Sequence, residues 1–388
     1  MDNVLIGFVG DVLVNRRNPI EVFGGVSEIL AAPDILFGNL ESSYTDNPRS
    51  APGATAVVSA PAHNLDAIAD VGFDVMSLAN NHIMDAGEVA MLDTRSRLVA
   101  RGVKTCGAGG YLADAHEPAI LELDQVRVAF LAYTSIFPFG HEARIDKPGL
   151  ASMKAYNYWR EPYAAYHAPG MLPLVSTVPD QTDLAQMVED ISRTRERADV
   201  VIASFHWGDQ TCPYYLTDHE TRTARYCIDH GAHMVVGHHH HALRGMEWYK
   251  GRPIMYGLGH FAFDFPMMWT ETSSKEFSDS EIGRHYRRIG YQVGPRKGWP
   301  LLPFPEDGRM TAVAWASANK NGIGDIGFLP CRLDSDGLIN PLRVGSKESD
   351  EIVSYLKKCN ETQGLESSIV SEGARTLAGF QTLRVIPS

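Results

Sequence analysis

Short apolar runs recur along this chain, and each is followed by a carboxylate, a carboxamide or an imidazole. The run 4–9 leads through Gly10 to Asp11, the run 34–37 through Gly38-Asn39-Leu40 to Glu41, and the run 73–78 through Ala79-Asn80 to Asn81 and His82. The run 200–205 meets His206, 234–236 meets His238-His239-His240-His241 after Gly237, and 253–256 is followed by His260. Apolar runs of this length bounded by glycine read as buried strands, and the amphipathic stretches 62–71, 86–100, 183–197 and 219–230 read as the helices between them. This pattern predicts an α/β layered fold whose functional groups gather at strand ends.

The segment 126–133 is a further strand candidate, after which the alternation breaks. Residues 137–182 bring Tyr156, Tyr158, Trp159, Tyr163 and Tyr166 close together, either as a lid over a pocket or as an aromatic mini-core anchoring a long loop. A second irregular stretch, 266–307, carries Arg284, Arg287 and Arg288, which suit anion contacts or a solvated face. The segments 311–317 and 326–333 then read as a late antiparallel pair and 350–358 as a closing helix. With no internal repeat or low-complexity tract, the expectation is a single domain over 1–388 with insertions at about 137–182 and 266–307.

Composition narrows the partners. A net charge of -12 and a pI near 5.7 argue against nucleic acid or an anionic membrane surface, both of which demand a cationic face. No apolar run approaches a membrane span, and the N-terminal residues lack a basic leader segment. The five cysteines are scattered without a Cys-x-x-Cys pair, which suits reduced thiols and a cytoplasmic location. The expected partner is a small-molecule substrate, with no nucleic acid and no membrane; a homo-oligomer is compatible with the sequence.

Asp11, Glu41, Asn81, His82, His206, His238, His239, His241 and His260 form the candidate set. Mixed imidazole, carboxylate and carboxamide groups suit divalent Mn, Fe, Zn, Ni or Co rather than a thiolate metal, and the number of groups suits two ions. A carboxylate bridging such a pair would hold the ions roughly 3.5–4 Å apart, able to lower the pKa of a shared water. On an extended strand His239 and His241 share a side, whereas His238 and His240 face the other way unless the backbone turns. His82 is read as a proton donor to a leaving group or as a capping or loop histidine.

The stretches Gly10-Asp11-Val12-Leu13-Val14-Asn15-Arg16, Gly38-Asn39-Leu40-Glu41, Leu78-Ala79-Asn80-Asn81-His82 and His206-Trp207-Gly208 stand in the order of a known group. So do Gly231-Ala232-His233 with the histidine run, and Tyr256-Gly257-Leu258-Gly259-His260-Phe261-Ala262-Phe263-Asp264. Over about residues 4–265 the chain resembles the CapA-like family, named for poly-γ-glutamate capsule synthesis, within the calcineurin-like metallophosphoesterase superfamily. The resemblance implies a four-layer α/β/β/α sandwich with a dimetal site at strand ends. It implies Asp11, Glu41, Asn81, His206, His239 and His241 as ligands, His82 as the acid, and His238 as a near-site residue or substitute ligand. This chain departs from the pattern at Leu13, where related phosphoesterases carry histidine, at Gln210 for glutamate, at His240 for proline and at His260 for asparagine.

The leading functional expectation is a divalent-metal-dependent hydrolase with two ions drawn from Mn, Fe, Zn or Co. In it a metal-bound hydroxide attacks an amide, lactam or ester bond of a small substrate, with a phosphoester as fallback. The alternative is a non-hydrolytic accessory protein of poly-γ-glutamate synthesis or transport, and a metal-dependent lyase or isomerase stands third.

Overall fold

The computed structural model describes residues 4–54, 57–163, 167, 169–265, 275–276, 278–291, 294 and 297–388. Two β-sheets carry the site. In the first, the strand Val4–Leu13 runs parallel to Ile35–Leu40, which continues in parallel to Val75–Ser77 and Lys104–Cys106. On its other side Val4–Leu13 pairs antiparallel with Met310–Asn319, whose hairpin partner is Gly322–Leu333. In the second sheet Val126–Thr134 lies parallel to Val200–His206, followed by Met234–His238 and Arg252–Met255. The parallel strands of each sheet therefore end on the same edge, which brings their terminal residues together.

Alternation along the strands sorts side chains into layers. Ile6, Phe8, Phe37, Phe130, Ile202 and Val236 fill the space between the sheets, where the Phe37 and Phe130 rings stack at 5.0 Å. On the outer face of the first sheet, Val9, Leu36 and Met76 meet Leu65, Ile68, Met91 and Leu98 from the helices Leu65–Asp70 and Glu88–Ala100. On the outer face of the second, Leu131, Val201 and Val235 meet Leu184, Met187, Ile191 and Ala224 from the helices Gln181–Arg195 and Asp218–Asp229. The result is the expected four-layer α/β/β/α sandwich. Both outer helices of the second sheet start earlier than apolar spacing alone suggests, because capping sets their ends. Asp180 accepts from the backbone N–H of Thr182 and Asp183, and Thr217 with Glu220 forms a capping box.

Two details aim the edge of the first sheet. Its central strand continues past Val9 to Leu13, with a register shift beside Asp11. The shift goes with close backbone approach: Asp11 N donates to Gly259 O at 2.9 Å, and a Cβ on Gly10 would lie 1.9 Å from that same oxygen. His260 does not close the strand Arg252–Met255 as the sequence pattern suggested. It opens its own short strand, His260–Phe263, beside Asp11.

The first insertion contains the antiparallel hairpin Ala155–Arg160 and Leu174–Pro179. Tyr156, Tyr158 and Trp159 are 49%, 59% and 67% exposed, so they do not form a mini-core, and Tyr166 lies outside the described residues. In the second insertion, residues 266–274, 277, 292–293 and 295–296 lie outside the described residues, while Glu281–Ile289 is a helix. The basic cluster sits on that helix, and Arg288 donates to Gly170 O at 2.8 Å, tying the two insertions together. Among the described residues no helix is long and apolar enough to cross a membrane.

Candidate metal centre

Asp11, Glu41, His206, His238, His239 and His241 meet at the shared strand edge, all buried. Glu41 Oε1 lies 3.7 Å from His206 Nε2 and 3.9 Å from His241 Nε2. Asp11 Oδ2 lies 3.7 Å from His241 Nδ1, and its Oδ1 lies 3.4 Å from His238 Nδ1. The ligand-type atoms of Glu41, His206 and His239 lie within 4.8 Å of one another, as do those of Asp11, Glu41 and His241. Glu41 belongs to both groups. Asn81 joins the first through Oδ1, 2.7 Å from His206 Nε2, and His239 Nδ1 is 3.2 Å from the same nitrogen.

The backbone of the histidine run explains who faces whom. The strand ends at His238, after which His239 (φ 92°) and His241 (φ 56°) adopt left-handed conformations. Strand parity therefore does not apply. His239 and His241 still reach the acid cluster, His238 also lies against Asp11, and only His240 turns away, its Nε2 2.8 Å from Glu220 Oε1. His260 stacks on His241 with ring centroids 4.5 Å apart. Leu13 is a fully buried apolar side chain of the core, so the Asp11 group has no imidazole from that position.

Electrostatics make these groups ready for a cation. Asp11 Oδ2, both Glu41 oxygens, both His238 nitrogens and His241 Nδ1 are buried without a hydrogen-bond partner, an arrangement too costly for packing alone. Burial and the neighbouring Asp11 push the Glu41 carboxyl well above its usual range. Burial alone would raise Asp11 too, but the His238 imidazole beside it holds it well below its usual range. Burial pushes His206 and His241 well below the ordinary imidazole range and His239 down to about 3, so these rings are neutral, the form that binds metal. Ligand atoms each about 2.0–2.2 Å from one ion sit roughly 3–4 Å from each other, which the acid–imidazole separations match. The residues fit divalent cations.

His82 stands at the rim, its side chain 18% exposed and its Nδ1 2.7 Å from Asp85 Oδ2. Asp85 is also anchored by the backbone N–H of Val58 at 3.0 Å. Asn80 turns the loop that presents Asn81 and His82: its Nδ2 donates to Leu40 O, and its Oδ1 accepts from the backbone of His82 and Ile83. Asn39 donates to Asp11 Oδ1 at 2.9 Å and lies 3.3 Å from His206 Nδ1, spanning the two sheets. Sequence reasoning passed over Asn39, Asn80 and Asp85 as functional supports. The spacing His82-x-x-Asp85 was the one local signal that pointed to any of them.

Two cavities open from this centre. One of about 750 Å³ lies beside His239 under the hairpin of the first insertion, walled by Trp159, Leu172, Val175 and Tyr286. The other, about 490 Å³, lies beside His241 and is lined by Tyr214, Tyr291, Phe304 and Tyr355. Gln210, Thr211 and Ile289 border both.

A four-layer sandwich that gathers buried carboxylates and neutral imidazoles at its strand ends is a protein built around a candidate metal centre. Residues 5–265 match the family described as bacterial capsule synthesis protein PGA_cap, and the chain belongs to that family. It is 30% identical over 319 residues to the PGA biosynthesis protein CapA of Bacillus subtilis (strain 168), covering 78% of this chain and 74% of that protein. It is 28% identical over 298 residues to the capsule biosynthesis protein CapA of Bacillus anthracis, covering 74% and 64% respectively. Among solved structures, the calcineurin-like phosphoesterase YfkN from Bacillus subtilis aligns over 93% of this chain and 98% of that chain, with TM-score 0.36 and 12% identity.

Proposed function

We propose that this chain is a divalent-metal-dependent hydrolase of a small substrate, breaking an amide, lactam or ester bond, with a phosphoester as the second choice. The observation that carries this reading is the pair of buried acid–imidazole groups sharing Glu41, with orphaned oxygens and nitrogens, at the mouth of a cavity. Asp11, Glu41 and His241, with His238 alongside, would hold one ion; Glu41, Asn81, His206 and His239 would hold the other. Bound there, Mn, Fe, Zn or Co supplies Lewis acidity that polarises a carbonyl or phosphoryl oxygen and acidifies water.

The chain's own residues supply the rest. Asn39 fixes the Asp11 carboxylate, leaving Asp11 Oδ2 directed at the centre without a competing donor. His82, oriented by Asp85 through Nδ1, would present Nε2 to the departing group. The hairpin of the first insertion supplies one wall of the cavity through Trp159 and Val175. All five cysteines are free, four of them buried, which suits a reducing cytoplasm.

The test is metal analysis of the purified protein coupled to turnover of a panel of amides, lactams, esters and phosphoesters. A protein that carries no metal and gains no activity with Mn, Fe, Co or Zn is not this hydrolase. The printed names of the Bacillus relatives, in PGA and capsule biosynthesis, favour a second reading as an accessory protein of polyglutamate synthesis. Asp11→Asn separates the two: an enzyme loses turnover and keeps its fold, whereas a structural metal site loses stability.

A further inference from the structure

The cavity beside His239 ends in a chain of hydrogen bonds that metal binding and proton delivery leave unused. Ser135 follows the strand Val126–Thr134, and its backbone N–H donates to His206 O at 3.0 Å. Its Oγ lies 3.3 Å from His219 Nε2, and His219 Nδ1 lies 2.8 Å from Thr217 Oγ1. Thr217 Oγ1 donates to Glu220 Oε2 at 2.8 Å, and Glu220 Oε1 lies 2.8 Å from His240 Nε2. Ser135 and His219 both line the cavity, and His219, Thr217, Glu220 and His240 are buried.

The polarity of this chain is fixed at its buried end. An ionised carboxylate only accepts, and Glu220 takes the Thr217 backbone N–H at 2.6 Å, the Thr217 hydroxyl proton and the His240 Nε2 proton. Burial alone would raise Glu220, but the His240 imidazole beside it holds the carboxyl below its usual range. A hydroxyl has one proton, so Thr217, having given its own to Glu220, accepts from His219 Nδ1, and Thr177 Oγ1, 3.1 Å from the same nitrogen and already accepting the His219 backbone N–H at 2.8 Å, shares that proton. A neutral imidazole with its N–H at Nδ1 offers a lone pair at Nε2, and burial keeps His219 neutral. Ser135 therefore donates to His219 and turns its oxygen lone pairs to the cavity. The walls around it, Trp159, Leu172, Pro173, Val175 and Tyr286, are apolar or aromatic and suit the faces of a ring.

We propose that Ser135 Oγ, its proton committed to His219, is the specificity-determining acceptor of this cavity, and that it selects a small ring-bearing amide or lactam with an N–H donor. The assignment of the ligand as a substrate rests on the hydrolase reading; its recognition by Ser135 does not. His219 is the positioning residue that sets the direction of the Ser135 hydroxyl.

The test uses oxindole, a benzene-fused lactam with an N–H, and N-methyloxindole, which lacks it. Binding of both to the purified full chain is measured by titration calorimetry, and turnover is measured separately after loading with Mn, Fe, Co or Zn. A half-buried acceptor left without a donor when ligand covers it weakens binding by about tenfold, the preference for oxindole expected of the wild type. Ser135→Ala should bind the two probes within about twofold of each other, and Ser135→Thr should restore the preference by restoring the hydroxyl. His219→Leu should reduce the preference while metal content stays unchanged, with a modest loss of melting temperature from the unpaired Thr217 hydroxyl. Absence of binding by either probe, equal affinities in the wild type, or a preference that survives Ser135→Ala overturns the assignment. Binding with the expected preference but no turnover with any metal sinks the hydrolase reading instead.

Discussion

Glu41→Gln distinguishes a carboxylate held for a cation from one held for packing. Both oxygens of Glu41 are buried without a donor, and burial beside Asp11 pushes its carboxyl well above the ordinary value of 4.5. In the metal-free protein the glutamine amide is therefore a close stand-in for the protonated acid, and stability should change by less than about 1 kcal/mol in acid. The sign at higher pH follows from linkage. A folded-state value raised above the unfolded one contributes stability that is full below about 4.5 and is lost as pH rises through the raised value. Glutamine has no proton to lose, so metal-free Glu41→Gln should overtake the wild type in stability as pH rises.

Metal reverses the order. An ion at 100 times its dissociation constant adds about 2.7 kcal/mol per site. An unfolding entropy near 2.1 cal/mol/K for each of 388 residues converts this to a rise in melting temperature of about 3 °C per ion, or roughly 6 °C for two. Because Glu41 belongs to both groups, Glu41→Gln should weaken both ions and leave a rise under about 1 °C at the same metal concentration. Scanning calorimetry of chelator-stripped protein, with and without Mn at pH 7, reads all four states. A variant that is several kcal/mol less stable without metal, or one that keeps the full metal shift, refutes the shared-ligand role.

Gly208 has φ 88°, and a Cβ there would lie 2.3 Å from His240 Nε2 and 2.7 Å from Glu220 Oε1, so Gly208→Ala should cost about 3 kcal/mol in urea unfolding. A loss under about 1 kcal/mol would show that the buried pair yields. His233 and His260, pushed by burial to about 4, and His239, to about 3, stay neutral when folded, so their stabilising contribution is present above about 6.5 and is lost as pH falls toward those values. Each should remove up to about 1.4 kcal/mol per pH unit from the metal-free protein over that window, and chemical denaturation showing constant stability between pH 6.5 and 4.5 would contradict it. Asp85→Asn should lower kcat about a hundredfold on a substrate with a poor leaving group and far less on one with a good leaving group; equal losses would remove His82 from proton delivery.

The strand cores were legible because apolar runs bounded by glycine have few other uses in a folded chain. Their ends were less so. Hydropathy stopped the first strand at Val9, yet pairing carries it through the buried Asp11 to Leu13, since a carboxylate in a metal centre can sit within a strand. The closing helix runs Lys347–Gln363, from the Ser346 cap to the left-handed Gly364, and both capping signals lie beyond the apolar spacing that marked 350–358. Ser135 and His219 were invisible as a pair because 84 residues separate them and neither stands in a local motif. The aromatic hairpin left two readings open because composition does not say which face is buried. The exposure of Tyr158 and Trp159 settles against a mini-core.

The histidine run shows how backbone geometry overrides a sequence pattern at a site. Alternation on a strand would send His239 and His241 one way and His238 and His240 the other. Instead the strand stops at His238, and left-handed conformations at His239 and His241 place three imidazoles on the acid cluster and one on Glu220. Each such residue costs about 1–2 kcal/mol, so the turn persists only if its surroundings hold it. The His240–Glu220 contact supplies that hold from beneath, with Gly208 and Gly257 leaving room for the His240 ring. His240 then shapes the candidate metal centre without facing it. Loss of metal on replacing His240 would report a relaxed turn rather than a missing ligand.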